Sequence, residues 1–255
     1  MRRSAALLLG LLALPASAAT ERFYGYAFDL KTDRHLYTEV HEQRIDDGRW
    51  TGGSIRYYWP DGRLLGVKSL DFSADPYIPT YRLDLPEQGY TEAITAVGDK
   101  IRLERRGQAG ARLESASVKH EGAMCADSGF HGLIVSSFDA LLAGQPLNFR
   151  LVVAGSLDAF RFRARRIGDT RFEDRPAVRF LVEPDSFLRL LVDPLEMVYD
   201  PQRRRLLEYR GVSNIRDPAT GQLFVTRIAY YSEPPKVVAV LPPLEPTCPE
   251  ATLSC

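Results

Sequence analysis

Trp50-Thr51-Gly52-Gly53-Ser54-Ile55-Arg56-Tyr57-Tyr58-Trp59 is followed by Pro60-Asp61-Gly62 and then by Arg63-Leu64-Leu65-Gly66-Val67-Lys68-Ser69-Leu70-Asp71-Phe72. The first run is aromatic and β-branched, and the second has the composition of a partner strand. Between them, proline presets the φ of one turn residue and glycine accepts a positive φ. The three segments therefore read as a β-hairpin.

Outward from this hairpin the pattern repeats. Residues 34–42 carry a mixed face and a polar face. Further strands are expected at 22–29, 80–84, 90–97, 100–106, 112–119, 147–154, 157–166, 177–183, 195–200, 205–215 and 223–231. Asp217-Pro218-Ala219-Thr220-Gly221 marks another hairpin turn. Turn signals spaced about 8–12 residues apart point to an antiparallel meander. One segment breaks the alternation. Phe130, Leu133, Ile134, Phe138, Leu141 and Leu142 recur at helical spacing, which predicts a helix over 129–143. Asp127 or Ser128 is placed to cap its start, and Gly144 with Pro146 ends it. A short helical turn is also expected at 186–191. The predicted fold is mainly β (α+β). It is one large, strongly curved antiparallel sheet or half-barrel with one main helix packed on it.

The chain has 255 residues, with 33 Lys plus Arg against 33 Asp plus Glu, and 45% hydrophobic residues. This is ordinary globular composition. The lack of excess positive charge argues against a dedicated nucleic-acid binder. Arg2 and Arg3 precede an apolar run at 5–14, then Pro15 and the small residues Ala16-Ser17-Ala18-Ala19. That is the three-part pattern of a signal peptide, cleaved near Ala18 or Ala19. The run falls short of the roughly 20 apolar residues that span a bilayer. The expected organisation is a signal peptide at 1–19 and a single β-rich domain at 20–255, ending in a proline-rich tail at 234–255. The expected location is periplasmic or secreted, with no transmembrane segment after cleavage. Cys125, Cys248 and Cys255 allow one disulfide and one leftover thiol. Either Cys248–Cys255 closes a small terminal loop, or Cys125 pins the tail to the body.

The stretch Tyr199-Asp200-Pro201-Gln202-Arg203-Arg204-Arg205-Leu206-Leu207-Glu208-Tyr209-Arg210-Gly211-Val212-Ser213-Asn214 is similar to late strands of the LolA/LolB-like half-barrel group of periplasmic proteins. So is the hairpin at 215–230. The resemblance is architectural and covers the second half of the chain. It implies a concave apolar sheet face covered by helices and able to hold an acyl chain. It transfers no binding residue.

The densest polar cluster is His120, Glu121, Cys125, Asp127 and His131, all zinc-capable types. Their spacing fits neither His-Glu-x-x-His nor Cys-x-x-Cys. His131 falls inside the predicted helix, Asp127 reads as its cap and the remainder as a solvated loop, so neither a metal nor a cofactor is expected. Gly211-Val212-Ser213-Asn214-Ile215 lacks the second glycine of a nucleophile elbow. No catalytic residue is assigned. Most Asp and Glu residues alternate with apolar ones, as on the solvated face of a sheet.

Arg161, Arg163 and Arg165 share one face of a strand, about 7 Å apart. They form an anion-attracting stripe for a lipid headgroup or acidic partner, or a solvent face neutralised by carboxylates such as Glu183 or Glu208. Trp50, Tyr57, Tyr58, Trp59, Tyr24 and Tyr26 cluster early, as cavity lining or as core. The expected function is non-catalytic binding of a hydrophobic ligand, lipid or lipoprotein on the concave sheet. The alternatives are an envelope protein-interaction module and an envelope hydrolase with dispersed carboxylates.

Overall fold

The computed structural model describes residues 18–185 and 194–246. They form one sheet of 15 strands, in the order β8-β7-β6-β5-β4-β3-β2-β1-β15-β14-β13-β12-β11-β10-β9. The first wall is a meander of β1 (Ala19–Asp29), β2 (His35–Asp46), β3 (Arg49–Tyr58), β4 (Leu64–Asp71), β5 (Thr80–Leu85), β6 (Tyr90–Ala96), β7 (Lys100–Arg106) and β8 (Glu114–Lys119). The short β9 (Met124–Ala126) leads into the helices α1 (Gly129–Ser136) and α2 (Phe138–Leu142). The second wall follows: β10 (Leu147–Val153), β11 (Asp158–Phe172), β12 (Arg175–Pro184), β13 (Leu195–Tyr199), β14 (Leu206–Arg216) and β15 (Leu223–Ala229). Neighbours pair antiparallel except β9 and β10, which are parallel. β15 returns to pair with β1, with Tyr26 opposite Ala229 and Asp29 opposite Thr226.

The predicted hairpin sits at β3 and β4. Gly62 takes φ +86° and donates its N–H to the Trp59 carbonyl at 2.9 Å. The Asp217 turn is one residue longer, with Gly221 N–H on the Asp217 carbonyl at 2.7 Å. β9 was not expected from sequence, because three residues are too few to show a period.

The predicted single helix at 129–143 is two helices. The Ser136 hydroxyl donates to the Leu133 carbonyl at 2.8 Å, and Ser137 leaves helical geometry at φ −103° and ψ +10°. A serine that bonds back to the preceding turn competes with the backbone ladder and bends the helix. Gly144 ends the pair at φ +83°, as the sequence predicts. Neither proposed cap acts as one: Ser128 occupies the N-cap position without a side-chain bond. The helical turn expected at 186–191 lies outside the described residues, as do 1–17, Cys248 and Cys255.

The sheet bends until its two free edges lie close. Residues 120–123 alone join β8 to β9, an extended reach of roughly 17 Å. Ladder hydrogen bonds do not join the edges. Side chains link the two walls away from those edges: Arg105 Nη1 of β7 donates to the Gly155 carbonyl after β10 at 2.9 Å, and Gln88 Nε2 after β5 to the Arg216 carbonyl of β14 at 3.1 Å. Phe130, Leu133, Ile134, Phe138 and Leu141 bury the helices against Phe162, Phe180, Val182 and Met197 of the second wall. Leu65, Leu70, Leu83, Ile94, Ile101 and Leu103 form the core of the first wall.

The described part of the proline-rich tail runs across the outer face of β1–β3. Tyr24 donates its hydroxyl to the Pro242 carbonyl at 2.8 Å, and Arg56 Nη2 donates to the Leu244 carbonyl at 2.8 Å. No helix of the described residues is long and apolar enough to cross a membrane.

Candidate functional site

Between the two walls lies a cavity of about 420 Å³, within the roughly 300–1,000 Å³ range of small-molecule sites. A folded interior normally leaves few voids larger than a water. This space is instead bordered by side chains from both walls and from α1. Its surroundings are aliphatic and aromatic on one side, with Leu151, Val152, Leu195, Met197 and Ile228. On the other side they are rich in tyrosines and charged groups.

Strand alternation explains why charge faces inward. In β4, Lys68 shares the inner face with Leu70, while Val67, Ser69 and Asp71 point out. In β6, Tyr90, Glu92 and Ile94 share the inner face. In β2, Tyr37, Glu39, His41 and Gln43 line the cavity together. The expectation that acidic residues alternating with apolar ones mark a solvated face is therefore corrected at Glu39 and Glu92. Both are buried and face the interior.

Lys68 Nζ reaches Asp127 Oδ2 at 2.5 Å, and both side chains are 5% exposed. The ammonium also lies over the rings of Tyr57 and Tyr81, at 5.9 and 5.6 Å from their centroids. Asp127 is not the helix cap the sequence suggested. It adopts φ +44°, a left-handed conformation Asp tolerates better than most residues, between β9 and α1. Burial by itself would raise its carboxyl. The Lys68 ammonium and the bonds from Lys68 and Ser128 outweigh burial and hold the carboxyl below its ordinary value. Burial would likewise lower Lys68, but Asp127 dominates and raises it.

Glu92 accepts the Tyr90 hydroxyl at 2.6 Å and the Tyr81 hydroxyl at 3.0 Å. Burial raises its pKa against these bonds. Asn214 bridges the carboxylates, donating to Asp127 at 3.0 Å and to Glu92 at 3.4 Å. A raised and a lowered carboxylate side by side is the split that acid–base chemistry uses. Here protein donors already occupy both, an arrangement suited to holding the walls together. Elsewhere in the cavity, the Tyr37 and Ser213 hydroxyls share a hydrogen bond of 2.7 Å. Glycine makes room for the cluster: a Cβ at Gly155 would lie 2.4 Å from Glu92 Oε2.

The five zinc-capable residues diverge. His120 contacts the Gly98 carbonyl, Glu121 pairs with Lys119, and Cys125 is a buried free thiol whose pKa burial raises. Asp127 holds Lys68. His131 Nδ1 lies 3.1 Å from the Tyr199 hydroxyl, and burial lowers its pKa to about 4. Among the described residues no three such groups gather.

Arg161, Arg163 and Arg165 lie on the outer face of β11, away from the cavity. Arg163 and Arg165 both meet Glu183, at 2.6 and 3.3 Å, while Arg161 is exposed. Glu208 serves Arg210 and Arg227 instead. Of the early aromatics, Trp50 and Tyr57 line the cavity, whereas Tyr24 faces the tail. The chain matches no family model, no curated protein and no solved structure.

Proposed function

We propose that this chain is a periplasmic, non-catalytic binding protein that takes a hydrophobic or amphipathic small molecule, such as a single-chain lipid, between its two walls. The observation that carries this reading is the cavity itself. The fold builds a lined, partly enclosed space where a packed core would otherwise be. Burying the ligand's apolar part supplies about 0.8 kcal/mol per methylene. The polar groups on the opposite side set which ligands enter, because an unpaired polar group in such a place is costly. The periplasmic assignment rests on the Arg2-Arg3 start, the apolar run at 5–14 and the small residues Ala16–Ala19.

The test is native mass spectrometry with organic extraction on protein purified from the envelope of its own host. The expected result is a retained amphiphile that organic solvent releases. A clean apo mass under gentle conditions would overturn the reading if solvatochromic probes also failed to bind. The exposed sheet edge as a protein-docking element would then become the leading account.

A further inference from the structure

Four of the lining side chains form a compact group, and the exposed Arg205 puts it at the solvent side of the cavity. Phe23 and His41 face each other directly across β1 and β2 and stack at 4.7 Å and 9°. Tyr230 packs edge-on against both, at 5.9 Å from Phe23 and 5.7 Å from His41. The Arg205 guanidinium lies over the Phe23 ring at 5.7 Å. All four line the cavity, and Gln43 and Trp50 line it with them.

The charge at this mouth is one-sided. Glu39, two residues from His41 on the same strand face, is committed to His41 Nε2 at 2.8 Å. Among the described residues Arg205 makes no side-chain hydrogen bond and no ion pair, and its guanidinium meets the Phe23 ring instead. This sets it apart from Arg22, Arg163, Arg210 and Arg227, which all meet carboxylates. Arg216 also lines the cavity, but it is spent on the Gly221 carbonyl at 3.0 Å and on the Tyr90 ring. A guanidinium fork held over an aromatic ring, with no anion of its own, matches a planar or tetrahedral oxyanion.

We infer that the ligand is an anionic single-chain amphiphile, whose carboxylate or phosphate sits against Arg205 while its chain runs inward. This deepens the binding reading and rests on it. Carboxylate and phosphate share the recognising chemistry, and a fatty acid and a lysophospholipid are their natural sources.

The chain has two tryptophans, and Trp50 alone of them lines the cavity. Trp59→Phe therefore leaves a single reporter at the mouth. This protein would be titrated, below micellar concentrations, with dodecanoate, dodecyl phosphate, monododecanoyl glycerol and dodecyltrimethylammonium. One or both anions should bind at least about tenfold tighter than the neutral and cationic probes, and the preferred one identifies the headgroup. Adding Arg205→Gln should weaken the anions by about tenfold to a hundredfold and leave the neutral probe unchanged.

Equal binding of neutral and anionic probes, preference for the cation, or an Arg205→Gln variant that binds anions as before would each overturn the inference while leaving the cavity reading intact. If none of the probes binds, both fall. Arg205 is exposed and unpaired, so its substitution leaves the fold intact.

Discussion

Lys68 shows how one residue ties the fold to the site. It faces inward with Leu70, where alternation alone would place an apolar side chain, and it is retained because Asp127 meets it from the other wall. Removing one partner of a buried pair strands the other charge. Lys68→Met should therefore cost about 3–5 kcal/mol, and Lys68→Met with Asp127→Asn should recover most of it. Urea denaturation measures both, and a single-variant cost under about 1 kcal/mol would show that water reaches the pair.

The pair also sets a pH window. Asp127 is held below its ordinary 3.8, so its contribution is complete above that value and is lost as pH falls through the lowered one. Lys68 is raised above its ordinary 10.5, so its share is present below that value and is lost as pH rises beyond the raised one. His131 acts inside this window. It is neutral in the folded state with a pKa of about 4, against 6.5 when unfolded, so stability drops as pH falls from 6.5 toward 4. His131→Gln should flatten the melting temperature across that interval. An unchanged slope would place the acid sensitivity elsewhere.

At the scale of elements, the short β9 and the two helices bring the second wall's polar group into place. Ala126 donates its N–H to the Tyr77 carbonyl at 3.0 Å, which docks β9 onto the loop before β5. Gly129 then starts α1 so close to that loop that a Cβ would fall 2.0 Å from the same Tyr77 carbonyl. Gly129→Ala should cost about 1–3 kcal/mol, because the obstacle is backbone and has no rotamer to yield. It should also displace Asp127 and weaken ligand binding. A thermal melt together with a Trp50 titration reads both effects, and a variant with native stability would show that α1 shifts freely.

The strands themselves were largely legible, since period-two alternation and turn residues such as Pro60-Asp61-Gly62 are local signals. The helix break at Ser137 was not. It depends on a serine hydroxyl choosing the Leu133 carbonyl over solvent.

Across the whole molecule, the sheet is bent almost round on itself but not zipped. The β8 edge carries unpaired backbone groups, while β1 and β15 are each paired on both sides. Hydrogen exchange should be fastest in β8 and slowest in β1, β2 and β15. Ligand should slow exchange at the cross-wall contacts of Gly155 and Arg216. Uniform protection across the sheet would mean that the seam is as firm as the ladder. The return of β15 to β1 adds one highly non-local pairing to a sheet otherwise built from strands adjacent in sequence, and closing so long a loop slows folding.

By itself, the sequence determined the strand meander, the mid-chain helical segment and the globular charge balance, because the first two are written in neighbouring residues and the third in composition. It also held a readable signal at Lys68 and Glu92, charged residues in register with Leu70 and Ile94. Only the tertiary structure decided which face of each strand is inside. It alone brought Lys68 to Asp127, Glu92 to Asn214 and Tyr37 to Ser213, pairs separated by 59, 122 and 176 residues. The reason is geometric. A strand's pattern names two faces without saying which is inner, and the cavity's chemistry exists only where curvature makes distant inner faces meet.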